Sequence, residues 1–240
     1  CLLRSSATIV SHPGQPTVVK MLSKALAVFA ALSLAAGKQI GDVVRPCVLS
    51  DHHCIRDNLK ANSHCQPRVR GSLPGKYTVG NWRFETPYFN ASYIDQGLVI
   101  RNHNKCYVSE FFFNKKTDVA VIAVDCPFLD FESDRLLLQH YSLKEDTTYS
   151  YHIRGTYPLI RLTMNVPKAN RLNICNGFTF ADVTALPVFH IDPKDKKTAE
   201  FLTPDLSYLN IFERETFFYR ANYLIRAYIN SYICDFGCNY

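Results

Sequence analysis

Residues 105–126, KCYVSEFFFNKKTDVAVIAVDC, are the stretch of sequence that decides the fold. Two runs rich in Val, Ile and Phe flank the polar residues 114–118, NKKTD, and this pattern is typical of a β-hairpin. Residues 111–113 and 119–124 are apolar at consecutive positions, so we expect both faces of these strands to be covered. The sequence therefore predicts antiparallel sheet at the centre of the chain.

Two disulfides are predicted from local geometry. Cys106 and Cys126 stand equally far from Lys116 at the middle of the turn, so a symmetric register places them directly opposite each other. Cross-strand Cα separations of about 4.5–5.5 Å lie within disulfide reach. Cys47 and Cys54 stand just before and inside a short predicted helix, close enough to be joined across its start.

The ends of the chain predict secretion. Residues 21–35 have a short basic start, an apolar run and small residues before a cleavage point after Ala35, which is the pattern of a signal peptide. The apolar run is roughly half of the about 20 residues that span a bilayer, so we expect no membrane anchor. Residues 1–20 precede Met21 and are interpreted as a non-native leader or untranslated artefact. Residues 36–240 are interpreted as a single secreted domain.

The cysteine count agrees with an oxidising compartment. Cys1 falls in the leader, and the even number of cysteines that remains indicates up to four disulfides with no spare thiol. Beyond the two local pairs, the sequence leaves three possible pairings and does not choose among them. The cysteines concerned are Cys65, Cys175, Cys234 and Cys238.

Composition and charge narrow the class of protein. Hydrophobic residues at 47% and charged residues at 20% are ordinary for a globular chain, and exclude disordered and collagen-like chains. The formal charge of +6 falls to +3 without Arg4, Lys20 and Lys24, which precede residue 36. This weak excess gives no reason to expect a nucleic-acid partner.

The hydrophobic pattern predicts an α+β fold. Residues 51–62 form a short amphipathic helix, and about nine strands follow between residues 77 and 193, with a turn at residues 95–97. A helix apolar on most sides runs from about residue 205 to 233, with Thr203 at its N-cap. We expect a curved antiparallel meander sheet wrapped around this long C-terminal helix, and a short N-terminal helix stapled by a disulfide.

The histidines near residue 52 could be drawn as a metal site. His52, His53, His64 and Cys65 supply suitable donor atoms, but secreted thiols usually oxidise and no carboxylates accompany them. We interpret them as a solvated helix start beside a disulfide. The sequence thus predicts no metal and no cofactor.

The carboxylates Asp130, Glu132 and Asp134 alternate along a predicted strand. They would suit general acid and base chemistry only if a cleft faced them, and we interpret them as a solvated edge. His152 and His190 lie on other predicted strands and are interpreted as ordinary core or surface histidines. Since no nucleophile elbow, P-loop or dinucleotide fingerprint is present, we predict no catalytic residues and no enzyme.

Residues 90–92, Asn-Ala-Ser, are the one N-glycosylation sequon of the chain. In a secreted protein we expect a glycan on Asn90. The glycan would mark this strand end as exposed.

Several long runs resemble the fibrohexamerin family, the small glycoproteins of the moth silk fibroin complex. The resemblance implies a non-enzymatic subunit, secreted into the silk-gland lumen, that associates without disulfides with the fibroin heavy chain and light chain. It implies a part in their assembly, solubility and secretion. The family's proteins can carry more sequons than this chain has. The runs are RPCVLSDHHCIRDNL (45–59), LVIRNHNKCYVSEFFFN (98–114), VDCPFLDFESDR (124–135), YSYHIRGTYPLIRLT (149–163), residues 178–202 and residues 209–240.

The order of elements also looks like that of the takeout and juvenile-hormone-binding proteins, in which a curved sheet wraps a long helix and lipid occupies a tunnel. This likeness implies an alternative function, a carrier of a small hydrophobic ligand. Side chains such as Phe111, Phe113, Phe217 and Tyr228 would line its tunnel. It also favours a disulfide from Cys175 to Cys234 or Cys238.

Overall fold

The computed structural model describes residues 46–69, 71–114, 116–168, 171–185, 187–203 and 207–238. The predicted leader and signal peptide, residues 1–35, lie outside this part of the chain. Among the described residues, no helix combines the length and the apolarity that a membrane span requires.

The described chain is mostly antiparallel sheet with three helices. The strands are β1 (Lys76–Val79), β2 (Trp82–Thr86), β3 (Ala91–Arg101), β4 (Tyr107–Asn114), β5 (Val119–Gln139), β6 (Thr147–Pro167), β7 (Phe178–Val183) and β8 (Val188–Pro193). The helices are α1 (His52–Ala61), α2 (Lys196–Leu202) and α3 (Ser207–Tyr232), with short 3-10 turns at Pro87–Phe89, His103–Lys105 and Ile174–Asn176.

Two very long strands form the centre of the sheet. β5 and β6 have 21 residues each and pair from Val119↔Pro167 to Gln139↔Thr147. The strand order is β1-β3-β5-β6-β7, while β2 pairs with β3, β4 with β5 and β8 with β6. At about 3.4 Å per residue such strands reach roughly 70 Å, and their bulges and twist curve the sheet. The predicted curved antiparallel sheet is confirmed.

The turn predicted at residues 95–97 is wrong. β3 runs through this point, and its register to β5 shifts between Gln96 and Val99. Gly97 has φ +58°, a conformation that glycine adopts at little cost. The signal read as a turn is therefore a β-bulge inside one strand.

The chain before α3 also differs from the prediction. Asp195 caps α2, since its side chain accepts a hydrogen bond from the Thr198 amide at 2.7 Å. Thr203 is the C-cap of α2 and its hydroxyl donates to the Ala199 carbonyl, so it is not the N-cap of the next helix. A seven-residue helix was missed here, although Asp195 and the run TAEF are a usable start signal.

The main core lies between the sheet and α3. Buried α3 side chains such as Phe217, Leu224 and Ile229 pack with Ile122 and Leu162 of the central strands. A smaller hydrophobic cluster is formed by buried side chains of β2, β3, β5 and β6, with Phe201 and Leu202 of α2 packed against it. Asp51 is the N-cap of helix α1, and its carboxylate accepts a hydrogen bond from the Cys54 amide. Ile55 and Leu59 of this helix belong to the main core.

Candidate functional site

The cysteines of the described residues are joined in four intrachain disulfides. The two local pairs are those expected from the hairpin and from the helix start, and Cys175 is joined to one of the two partners that the takeout-like layout favoured. The fourth disulfide ties the segment after α1 to the end of α3. The pairs are Cys47–Cys54, Cys106–Cys126, Cys65–Cys234 and Cys175–Cys238.

Asn90 is exposed at the start of β3. It follows the turn Pro87–Phe89 in a left-handed conformation, with φ 49°. Its Nδ2 donates to the His140 carbonyl oxygen at 2.9 Å. An N-linked glycan leaves one hydrogen on this nitrogen, so the hydrogen bond and a glycan are compatible.

The histidines near α1 do not form a metal site. Cys65 is held in its disulfide, and no group of three potential metal ligands comes together in the described part of the chain. His52 packs against the rings of Tyr228 and Tyr232. Burial, with His53 beside it, lowers the pKa of His52.

The interpretation of Asp130 as part of a solvated edge is wrong. It stands on β5, between β3 and β6, and is 3% exposed. Its carboxylate accepts hydrogen bonds from Arg101 at 2.7 Å, Arg154 at 2.9 Å and Thr156 at 2.8 Å. Burial alone would raise its pKa, but these donors outweigh burial and hold the pKa below its usual value. The carboxylate therefore stays ionised and has no proton to donate.

The other two carboxylates belong to the same network on the outer face of the sheet. Glu132 accepts from Arg101, whose donation is the main reason that the pKa of Glu132 is lowered. His152 lies between them, with Nε2 3.4 Å from Glu132 and Nδ1 3.2 Å from Asp134. His190 is exposed on β8, directly across from Arg154. Lys194 Nζ lies 3.5 Å from Asp134, so three cationic side chains balance the three carboxylates, and both polar partners of the His152 imidazole are carboxylates of this network.

Sequence reasoning missed a charge cluster in the interior. Asp95 is completely buried and accepts from Arg135 Nε at 2.6 Å, from Arg220 of α3 and from the Ser133 hydroxyl at 3.1 Å. Burial alone would raise the pKa of Asp95, but the two guanidinium groups hold it far below its usual value. The turn predicted at residues 95–97 gave no sign that this carboxylate is buried. Only the long-range pairing reveals its partners.

Two small cavities flank Arg220. Each holds about 10 Å³, room for about one water molecule. A small hydrophobic ligand needs some hundreds of Å³. One is lined by Phe131, Ser133, Arg135, Ile153, Gly155, Tyr157, Phe189 and Arg220, and the other by Trp82, Leu98, Ile100, Phe131, Arg220, Tyr223 and Leu224. None of the four aromatic side chains expected to line a tunnel borders either of them, and Phe217 and Tyr228 are packed in the core.

Every phenylalanine that is exposed among the described side chains lies on β4, β5 or β7. Phe112 is 47%, Phe128 59%, Phe178 57% and Phe180 37% exposed. Phe112, Phe178 and Phe180 face away from the core, since the residues beside them, such as Phe111 and Thr179, face it.

The expectation that residues 111–113 are covered on both faces is thus wrong for Phe112. Phe111 and Phe113 pack against the main core, while Phe112 stands on the outer face. On β5 the structure is closer to the expectation of cover on both faces. There Val121 is half-buried and Ala123 is fully buried. The sequence pattern indicated an apolar outer face. It did not indicate that part of this face, at Phe112, is exposed to solvent.

The comparisons with known proteins agree with the resemblance seen in the sequence. A solved structure, Takeout 1 of Epiphyas postvittana, matches 79% of this chain and 95% of its own at 11% identity, with a TM-score of 0.44. Fibrohexamerin of Galleria mellonella is 63% identical over 207 residues, which are 86% of this chain and 95% of that protein. The model of the Fibroin P25 family matches residues 43–238. The chain therefore belongs to the Fibroin P25 family.

Proposed function

We propose that this protein is a non-enzymatic subunit of a silk fibroin complex. In this proposal it associates non-covalently with the fibroin heavy chain and light chain and aids their assembly, solubility and secretion. The observation that carries the proposal is the 63% identity to a fibrohexamerin over 95% of that protein's length. The family match over residues 43–238 supports it.

The compartment and the processing belong to the same proposal. Residues 21–35 act as a signal peptide that is removed, and residues 36–240 form one secreted domain in the silk-gland lumen. In this domain the curved sheet encloses α3. Four disulfides in the described residues support an oxidising compartment.

The disulfides also support association without a covalent link. All eight cysteines from Cys47 to Cys238 are already bonded within the chain. A disulfide from this segment to fibroin would require one of these bonds to open. The partner is therefore held by packing and hydrogen bonds.

A glycan on Asn90 would aid solubility without covering the exposed phenylalanines. Asn90 is next to Ala91, which pairs with Gln139 at one end of β5, while Phe112 pairs with Val121 near the other end. These two points on β5 are separated by up to about 60 Å of extended strand. Treatment of the secreted protein with an N-glycosidase should increase its mobility on a gel, and the variant Asn90→Gln should show no such increase.

The experiment that tests the main proposal is the sizing of native silk-gland extract, probed for this protein. We expect elution in a large complex with the fibroin chains, and release by mild denaturant without reductant. Elution as a lone species of about 25 kDa, the size of a single domain of this length, would contradict the proposal. Lipid extraction of that species would then test the alternative, a hydrophobic-ligand carrier.

A further inference from the structure

Two rows of outward side chains cross four strands at one end of the sheet. The pairing of β4 with β5, β5 with β6 and β6 with β7 sets each row. Neighbours in these rows share a face, because residues directly opposite in a sheet point the same way. The first row is Phe112, Val121, Asn165 and Phe178, and the second row is Glu110, Ala123, Thr163 and Phe180.

We call the strip of sheet between the outward phenylalanines of these rows the aromatic groove. Its walls are Phe112 on β4 and Phe178 and Phe180 on β7, which are 37–57% exposed. The side chains between them, which form the floor, are half-buried in the first row and buried in the second row, where Ala123 has no exposed surface and Thr163 is 8% exposed. Three strand spacings separate the walls, or about 14 Å between backbones. An extended polypeptide fits between walls this far apart.

Exposed phenylalanine side chains that lie this close together are unusual on a soluble domain. Contiguous exposed apolar surface marks an interaction site, and aromatic side chains are enriched at protein interfaces. Here three of the four exposed phenylalanines of the described side chains lie in these two rows, while Phe128 stands farther along β5. This grouping of three favours a docking surface over scattered surface residues.

The charge of the aromatic groove restricts its occupant. Glu110 is the one charged side chain in the two rows, and its carboxylate lies 3.8 Å from Arg161. Arg161 also donates to Asp125 from Nε at 2.7 Å and from Nη2 at 2.9 Å. Glu110 would repel an anionic occupant, and a charge of either sign would lose its hydration against the phenylalanine walls. The complementary ligand is uncharged.

The floor distinguishes a polypeptide from a lipid. Asn165 carries a half-buried amide, whose oxygen and nitrogen can exchange hydrogen bonds with a peptide backbone. An acyl chain offers no such groups and would bury these polar atoms without compensation. Apolar walls and a polar floor thus suit a backbone with uncharged side chains.

The area argues against a second copy of this chain as the occupant. Three phenylalanine side chains exposed by about half offer roughly 300 Å². A stable dimer buries about 800 Å² on each partner. The aromatic groove is therefore the size of a contact with one segment of a larger partner.

We propose that the aromatic groove binds an extended, uncharged, apolar segment of a fibroin chain. The inference rests on the proposed function and adds the contact surface on this chain. Phe112, Phe178 and Phe180 pack against the segment, while Asn165 hydrogen-bonds its backbone.

The test compares variants for binding to purified, immobilised fibroin that lacks this protein. The variant Phe112→Ser/Phe178→Ser/Phe180→Ser removes the walls, and the matched control Tyr88→Ser/Leu143→Ser removes two apolar side chains that are exposed elsewhere. We expect the Kd of the wall variant to rise at least about tenfold and that of the control to stay unchanged. If the thermal midpoint shows that the triple variant does not fold, Phe178→Ser alone replaces it, with an expected rise of roughly fivefold.

The outcomes separate the inference from the proposed function. Equal binding of wild type and wall variant would overturn the aromatic groove as the contact and leave the proposed function standing. No binding of wild type to fibroin would overturn both. A wild-type dimer in sedimentation that the wall variant loses would assign the groove to a second copy. Binding to phosphatidylcholine vesicles that the wall variant loses would assign it to a lipid surface, and either result would overturn the inference.

Discussion

Asp95 shows how a single buried residue organises the interior. Arg135 of β5 and Arg220 of α3 both donate to it, so one carboxylate links the sheet to the C-terminal helix. The guanidinium carbon of Arg220 also lies 5.0 Å from the centroid of the Phe131 ring, which adds a cation–π contact. Burying such a cluster of charges costs free energy. Removing one partner costs more, because the charges that remain are buried without a counter-charge.

The variant Asp95→Asn should lower the free energy of unfolding by about 3–5 kcal/mol. It keeps the side-chain volume but leaves two buried guanidinium groups without their carboxylate. Denaturant unfolding measures the loss, and Asp134→Asn is the matched control, since the Asp134 side chain is 51% exposed and its loss should cost less than about 1 kcal/mol. A change at Asp95 as small as the control's would contradict this account of the cluster.

His103 predicts a pH dependence of stability. It is fully buried, its Nδ1 lies 2.7 Å from the Tyr77 hydroxyl, and burial lowers its pKa to about 4. The unfolded chain has a histidine pKa of about 6.5, so it binds the proton first as the pH falls. The stability is therefore complete above about pH 6.5 and is lost progressively as the pH falls toward 4, by up to roughly 3 kcal/mol.

Urea unfolding at pH 7 and at pH 4.5 checks this prediction. Wild type should lose more stability between the two values than His103→Gln, because the variant has no proton to take up at this position. His52→Gln serves as a second comparison, since the pKa of His52 is also lowered by burial but that side chain is only partly buried. An equal loss in wild type and in His103→Gln would exclude His103 as the source.

Among the elements of the fold, the bulge in β3 requires a backbone conformation that is unfavourable for residues other than glycine. Gly97 has φ +58°, and a Cβ placed on it would meet no atom within 4 Å. Gly97→Ala should therefore destabilise by about 1 kcal/mol through backbone strain alone. Gly80→Ala is the control, since a Cβ there also meets nothing within 4 Å and its φ lies outside the left-handed region. Thermal unfolding of the two variants measures the difference, and equal midpoints would show that the bulge relaxes without strain.

The same elements show how far the sequence could predict the fold. The hairpin at residues 105–126 is local, so alternating apolar runs, a polar turn and two symmetric cysteines were sufficient to place it. The bulge at Gly97 was mistaken for a turn, because glycine in the left-handed region serves both. The partners of Asp95 lie 40 and 125 residues away, and the sequence contains no signal that joins such distant positions.

For the candidate site, the limit is again distance along the chain. Phe112 and Phe178 were visible as apolar residues, but only the register of β4, β5, β6 and β7 places them in one row. Asp130 was assigned to an edge because alternation along one strand does not reveal how many neighbours that strand has. The family resemblance predicted the partner. The surface proposed to contact that partner could be recognised only from the pairing of the strands.

At the scale of the whole molecule, disulfides and backbone pairing connect the two ends of the described chain. Cys65 after α1 is bonded to Cys234 after α3, across 169 residues. Beside it, Gln66 and Asp235 exchange backbone hydrogen bonds at 2.8 and 3.0 Å. The segment after α1 and the end of α3 are therefore held together by a closed loop of the chain that includes the sheet.

The variant Cys65→Ser/Cys234→Ser should lose about 4–5 kcal/mol of stability, since in the chain-entropy description a longer closed loop restricts the unfolded state more. The variant Cys47→Ser/Cys54→Ser opens a bond with a separation of only 7 residues and should lose about 2–3 kcal/mol. Denaturant unfolding of both, with the other disulfides kept oxidised, gives the comparison. A smaller loss for the long-range pair than for the local pair would mean that the Gln66–Asp235 pairing and the core hold the ends together without the bond.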